Sequence, residues 1–349
     1  MDYYQTSINY KLNSQLLGEQ KLDLNNFVSS NNDSSCDELL QIIKTFDRIN
    51  VKEIEPTTKN IHKNIFEEDL VFVIDEVVNL IFKELNEGKE QNVIKQHVID
   101  YINKISPQEV YNWLMNNQIN SNSIYLFGYF NYHGIGTDIN KQKAFELIQK
   151  AAELENNLAQ LDLSSMYIHG KDVDKDYNIA FELSKKLAER ENPNAMNRLG
   201  YCFEIGIGTD VNLQMAFEMY QKAANLGNII AQCNLGLFYK NGKAVAQNND
   251  KAFELFKKSS EGGFSGGISM LGRCYYMGVG TSIDKQKAFE LYQKAANMGN
   301  YISQYNLANM YVRGDYVEKD FNRAIYWYKK SAKQGCQWAQ NKLKDFLKD

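Results

Sequence analysis

Several stretches of this chain carry residue types at spacings that could do chemistry. Gly263-Phe264-Ser265-Gly266-Gly267 has the Gly-x-Ser-x-Gly form of a hydrolase nucleophile. Such a serine needs a sharp strand-to-helix turn to expose its hydroxyl. A helical pattern precedes it here, so the motif reads as a turn between helices. Ser282-x-x-Lys285 has the spacing of a serine acyl-enzyme, but no Lys-Thr-Gly accompanies it, and Asp284 is placed to cap a helix. Gly206-Ile207-Gly208 and Gly278-Val279-Gly280 lack the third glycine and the Gly-Lys-Ser/Thr of phosphate loops. They read as turns. His133 and His169 stand at equivalent places in neighbouring segments. On stacked helices they would lie about 10 Å apart, too far to share a metal, and they read as solvated rim residues. His62 and His97 have no metal-site context. The five cysteines, Cys36, Cys202, Cys233, Cys274 and Cys336, contain no Cys-x-x-Cys pair. Cys202 and Cys274 would sit about 20 Å apart, beyond disulfide reach, so reduced, packed thiols are expected. No catalytic, cofactor-binding or metal-ligating residue is assigned, and the chain reads as a non-enzyme without a cofactor.

The elements that would position these residues are set by a repeat. Lys143-Ala144-Phe145-Glu146 returns as Ile179-Ala180-Phe181-Glu182, Met215-Ala216-Phe217-Glu218, Lys251-Ala252-Phe253-Glu254 and Lys287-Ala288-Phe289-Glu290. A looser sixth copy is Arg323-Ala324-Ile325-Tyr326. The alanines are 36 residues apart throughout, and so are Gly134, Gly170, Gly206, Gly242, Gly278 and Gly314. A fixed period of this size marks a stacked helical solenoid, two helices per unit. Asn140, Asp176, Asn212, Asn248, Asp284 and Asp320 precede the second helix (helix B) and suit an N-cap. Gly128, Ser164, Gly200, Gly236, Gly272 and Ala308 form a row of small residues in the first helix (helix A). Mid-helix glycine costs about 1 kcal/mol against alanine, so helix B is expected to pack closely there. A leucine row from Leu163 to Leu307 and an aromatic row (Tyr167, Phe203, Tyr239, Tyr275, Tyr311) fill the core; Asn131 breaks the aromatic row, and Tyr132 is the expected substitute.

The organisation has four parts. Residues 1–60 form an Asn/Ser-rich tail with one short helix over 37–50, followed by linker to about residue 65. Residues 61–118 form a helical segment and cap: helices over about 66–88 and 92–104, then a third opened by the Ser106-Pro107-Gln108-Glu109 capping box. Six repeats occupy 119–336, and a capping helix occupies 337–349. The net charge of −4 argues against a nucleic-acid binder. The start at Met1 lacks a signal peptide, and no run is apolar enough to span a bilayer. A cytoplasmic, non-membrane chain is expected.

Ala231-Gln232-x-Asn234-Leu235-Gly236-x-x-Tyr239-x-x-Gly242 followed by Lys251-Ala252-Phe253-Glu254 resembles the Sel-one-like repeat, a relative of the tetratricopeptide repeat. The likeness covers about residues 119–349; the second unit departs most, with Ser164 for glycine and Glu191 where Gly227 closes the third. It implies an all-α, right-handed α/α superhelix that acts as an adaptor in signalling, protein quality control or complex assembly. Residues 66–118 also look like the connector of fungal proteins that join a kinase-like domain to such repeats, so the alternative is a regulatory arm of a kinase-like enzyme. No kinase motif occurs in the chain. A cysteine-rich branch associated with β-lactamase activity is a further alternative, but its paired cysteines are missing.

A protein or peptide partner is therefore expected, on the concave face lined by helix A. The framework leucine fixes the phase. Reading around it gives Tyr125, Leu126 and Tyr129; Leu161, Asp162 and Ser165; Asn197, Arg198 and Tyr201; Cys233, Asn234 and Leu237; Ser269, Met270 and Arg273; and Tyr305, Asn306 and Asn309. Of these, Tyr129, Arg198, Tyr201, Asn234, Leu237, Arg273, Tyr305, Asn306 and Asn309 are the expected contact residues. Tyrosine and arginine commonly dominate binding energy, and Asn supplies both a donor and an acceptor.

Overall fold

The computed structural model describes residues 58–170 and 172–346, with side chains from Leu70 onward. The expected tail and its short helix over 37–50 lie outside the described residues, except that the first helix begins earlier than expected. That helix, α1, runs Thr58–Glu87. Nothing between 58 and 65 breaks a helix, and the apolar stripe that located its start begins later. The chain divides into two compact units inside α1, after Val73. Residues from Ile74 onward belong to one of them.

Among the described residues every regular element is a helix. Two helices follow α1: α2 (Gln91–Ile102) and α3 (Pro107–Asn116). Ser106 caps α3 by accepting the Glu109 amide at 3.3 Å, half of the expected capping box. Six helix pairs then follow. Unit 1 is α4 (Ser121–His133) and α5 (Lys141–Glu153); unit 2 is α6 (Asn157–His169) and α7 (Tyr177–Ala188). Unit 3 is α8 (Pro193–Ile205) and α9 (Leu213–Asn225); unit 4 is α10 (Ile229–Asn241) and α11 (Asn249–Glu261). Unit 5 is α12 (Ser265–Met277) and α13 (Lys285–Asn297); unit 6 is α14 (Tyr301–Arg313) and α15 (Phe321–Lys333). The last helix, α16 (Gln337–Phe346), repeats helix A alone and buries Ala339.

Sequence chemistry sets the boundaries. All six B helices are capped by the Asn or Asp before them, whose side chain accepts the third helical amide. Each A helix ends at the repeated glycine in the left-handed region, for example Gly242 at φ 65°. Asparagine also caps the A helices, at Asn120, Asn156, Asn192, Asn228 and Asn300. The fifth unit is the exception: Phe264 stands at that place and offers no side-chain cap.

The small-residue row lies against helix B of its own unit. A Cβ on Gly236 would stand 2.7 Å from the Phe256 ring, and one on Gly200 would stand 2.9 Å from Tyr220. In unit 2 the Ser164 hydroxyl meets Ser184 Oγ at 2.8 Å and the Ala180 carbonyl at 3.0 Å. Gly236→Val is expected to lower stability by about 2–3 kcal/mol through overpacking; an unchanged unfolding midpoint would contradict this contact.

The aromatic row locks successive units together. Phe145, Phe181, Phe217, Phe253 and Phe289 of one helix B each meet the row aromatic of the next unit's helix A edge-on. Ring centroids are 5.5 to 6.4 Å apart. This explains Asn131 and corrects the role expected for Tyr132. The preceding helix, α3, has Glu109 where a phenylalanine would stand, so an aromatic at 131 would have no partner. Tyr111 fills the gap instead, 5.4 Å from Phe127 and with its hydroxyl 3.5 Å from Asn131 Oδ1. Tyr132 instead carries Lys141 Nζ over its ring at 3.1 Å.

A second, longer period runs through the turns. After helix A, units 1, 3 and 5 read Gly-x-Gly-Thr, and units 2, 4 and 6 read Gly-x-x-Val. The second glycines, Gly136, Gly208 and Gly280, have φ near +65°. A Cβ on any of them would overlap the first carbonyl oxygen of α3, α7 or α11: Pro107, Tyr177 and Asn249 respectively. At the same place the even units hold Asp172, Ala244 and Tyr316, also at positive φ. These turns stand off the preceding helix far enough for a side chain. Tyr316 stacks 5.7 Å from Phe289, and Asp172 lies 4.0 Å from Lys141.

Candidate partner-binding surface

The Gly-x-Ser-x-Gly stretch is an inter-helix turn. Ser265 is buried at the first position of α12, with α11 rather than a strand before it. Its amide donates to Glu90 Oε1 at 3.1 Å. Asp284 caps α13, and Lys285 pairs with Asp315 at 2.5 Å. His133 departs from the solvated position expected: it is half-buried, its ring 4.3 Å from Tyr129. His169 Nδ1 lies 3.1 Å from the Ser165 carbonyl. Among the described residues no group of His, Cys, Asp and Glu is arranged to hold a metal.

Cys202, Cys233, Cys274 and Cys336 are free and buried; Cys36 lies outside the described residues. Burial pushes the Cys202 and Cys233 thiols up to about 12, and Cys274 to about 11. The thiolate is the reactive form. In a chain carrying Cys36→Ser and Cys336→Ser these three thiols should therefore alkylate only as the protein unfolds; rapid labelling of the native chain at pH 8 would contradict this.

The side chains expected on an open face fall into two groups. Tyr129, Arg198, Tyr201, Asn234 and Leu237 are buried, between 2% and 7% exposed. Their phase turns them toward the neighbouring A helix. Tyr125 donates to Asp162 Oδ2 at 3.0 Å, Arg198 Nη1 to the Leu161 carbonyl at 2.7 Å, and Asn234 Nδ2 to Asn197 Oδ1 at 3.0 Å. Each bond joins one unit to the next. Tyr201 and Leu237 belong to the core cluster with Leu161 and Cys233. These five positions are thus corrected from free surface to buried positions on the A-helix face. Reading one helix at a time left its flanking copies out. Arg198→Ala is accordingly expected to cost stability, where an open face would have implied none.

Arg273, Tyr305, Asn306 and Asn309 stay half-buried on units 5 and 6. Around them is a polar aromatic surface. Tyr305 lies 5.7 Å from Tyr328 and 6.0 Å from Trp338, and Tyr328 donates to Asn309 Oδ1 at 2.7 Å. Tyr276 donates to Asp315 Oδ2 at 2.7 Å and accepts from Arg313 Nη1 at 3.1 Å. The Lys285 ammonium, more than any other neighbour, holds the Asp315 carboxyl below its ordinary value. Tyr276, Arg313 and Trp338 were not singled out from sequence. Tyr276 and Arg313 lie outside the helix phase that was read, and Trp338 lies on the cap beyond the sixth unit.

No helix among the described residues is long and apolar enough to cross a membrane. A search of the curated proteins finds no match. Among solved structures, the chain is similar to a Sel1 repeat protein from Oxalobacter formigenes, at 28% identity over 67% of this chain and 94% of that one, with a TM-score of 0.59. It is also similar to c5321, a protective antigen of uropathogenic Escherichia coli with an SLR fold. That likeness has 29% identity over 71% of this chain and 56% of the other, with a TM-score of 0.50. The Sel1 repeat model matches residues 121–156, 157–192, 193–228, 229–264, 267–300 and 302–336, more than half of the chain. With the register of caps, turn glycines and inter-unit aromatic pairs described above, these matches show that the chain belongs to the Sel1 repeat family.

Proposed function

We propose that this chain is a protein-interaction scaffold, an adaptor in signalling or complex assembly that makes no covalent change in its partner. Its repeat framework consists of packing contacts, which supports presentation of a surface over catalysis. The partner is a peptide or protein segment held on the A-helix face of units 5 and 6 by Arg273, Tyr305, Asn306 and Asn309. One observation carries this reading. The positions equivalent to these are buried in units 3 and 4, whereas here they stay half-exposed beside Tyr276 and Trp338. Tyrosine, tryptophan and arginine grouped at one place are what binding hot spots use.

The test is a chain carrying Arg273→Ala, Tyr305→Ala and Asn306→Ala, compared with the parent for partner recovery and melting. Recovery of the parent's specific partners should fall at least about tenfold, the size of loss expected when hot-spot side chains are truncated. The melting midpoint should move little. Full retention of every partner would overturn the assignment of this face.

A further inference from the structure

The segment from Ile74 to Ile102 lies outside the six matched repeats, yet it touches four of them. Asn122 Nδ2, on unit 1, donates to Asp75 Oδ1 at 2.8 Å. Asn194 Nδ2, on unit 3, donates to the Leu85 carbonyl at 2.7 Å, and Asn228 Nδ2, on unit 4, to the Asn86 carbonyl at 3.0 Å. The Ser265 amide, on unit 5, donates to Glu90. From α2, Lys95 Nζ reaches the His133 carbonyl at the far end of unit 1's helix A, at 3.1 Å. Gly88, at φ +82°, lies so close to unit 4 that a Cβ would stand 3.1 Å from the Ile230 amide.

These contacts use polar atoms beyond those of the helix caps, although Asn122 Oδ1 also accepts from Asn156 Nδ2 of unit 2 at 2.9 Å. Asn122 and Asn194 hold the second position of helix A, where the other units have Leu158, Ile230, Gly266 and Ile302. The cap oxygen of Asn228 serves its own helix, accepting the Ala231 amide, and only its amide nitrogen reaches out. Glu90 meets the one A helix whose asparagine cap is replaced, by Phe264. A carboxylate at a helix N-terminus is favourable, so the segment supplies from outside what the fifth unit lacks.

The two helices of the segment are also tied to each other. His97 Nδ1 meets Glu84 Oε1 at 2.7 Å, and Tyr101 donates to Glu76 Oε2 at 3.0 Å, pinning α2 back along α1. Ile74, Val77, Val78, Ile81 and Leu85 give it an apolar stripe at helical spacing, and all are buried. Its polar groups and those facing it are incompletely paired: Glu84 Oε2 and Asn86 Oδ1 on the segment, and Tyr129 Oη on unit 1, are buried without a partner. Burying polar groups without partners costs free energy and weakens the hold on the segment.

We propose that residues 74–102 are a ligand carried in cis: an amphipathic helical hairpin held against the A helices of units 1, 3, 4 and 5. Its release exposes a groove that takes a helix of the same chemistry, with an apolar stripe, an acidic group near each end and free C-terminal carbonyls for the asparagines. The inference rests on the scaffold reading, but its test uses the chain's own segment, so its failure leaves the surface of units 5 and 6 untouched.

The test compares the full chain with a full chain carrying Val77→Asp and Ile81→Asp, which puts charge on the hairpin and leaves the repeats intact. The probe is a fluorescent peptide of residues 74–102. It should bind the variant at least about tenfold more tightly than the parent, whose groove is filled. Equal binding to both, or no binding to a folded variant, overturns the proposal. Hydrogen exchange of the parent decides independently of whether the variant folds. The amides of 74–102 should open together at lower cost than those of α8 to α13. Exchange of the hairpin only through global unfolding overturns the proposal.

Discussion

Gly208→Ala should cost the protein about 3 kcal/mol or more, while the reverse change at the same place in the next unit, Ala244→Gly, should cost almost nothing. The added methyl at 208 would overlap the Tyr177 carbonyl oxygen and stand 2.7 Å from Phe181 Cβ. A carbonyl at the start of a packed helix cannot retreat without disturbing that helix, so an overpacking cost of about 1–3 kcal/mol applies in full. The left-handed backbone, φ +64°, adds about 1–2 kcal/mol for a residue with a Cβ. At 244 the chain already carries alanine at φ +54°. Glycine there removes that strain but gains unfolded-state freedom worth about 0.4–1 kcal/mol, and the two nearly cancel. Denaturant unfolding of both variants checks the contrast. Equal loss at the two sites would show that odd and even turns pack alike.

That alternation was present in the sequence, as Gly-x-Gly-Thr against Gly-x-x-Val, but a 36-residue register hides it. Aligning six copies emphasises what they share, and the longer period lies in what they do not. The framework was legible because each marker has a local cause: an Asn or Asp cap, a left-handed glycine, a small residue under helix B. The candidate surface was legible only in part. Arg198, Tyr201, Asn234 and Leu237 share a helix phase with Arg273 and Tyr305, and phase sets direction from one axis only. Their burial comes from neighbouring A helices and from the segment after Ile74 that lies against units 3 and 4, relations that no single unit's pattern contains. The contacts of Asn122, Asn194 and Asn228 with the segment after Ile74 were similarly hidden. Asn228 reads as a cap, and its second polar atom carries no sequence signal of its own; Asn122 and Asn194 lie inside the first turn, where asparagine reads as a solvated residue.

The close approach of helix B to the small-residue row yields the second large effect, because the chain contains its own comparison. Position 236 and its partner 256 are Gly and Phe; the equivalents are Gly200 with Tyr220 and Gly272 with Tyr292. In unit 2 the pair is Ser164 with Ser184, joined at 2.8 Å, both hydroxyls lying within 3.0 Å of the Ala180 carbonyl. A ring over glycine and a serine pair are two solutions to one space, and mixing them should fail. Phe256 is fully buried, so Phe256→Ser removes a ring worth about 3–5 kcal/mol and leaves a hydroxyl in the gap. Gly236→Ser alone drives its side chain into that ring, at about 1–3 kcal/mol. With both changes the ring is gone, the second serine occupies part of the cavity, and the two hydroxyls can pair with each other and with the Ala252 carbonyl. The double variant should therefore be more stable than the sum of the single changes by at least about 1 kcal/mol, a coupling typical of residues in contact. A double-mutant cycle in urea measures it. Strict additivity would mean that the two positions do not share one space, and that the small row in helix A answers to something other than the side chain across from it.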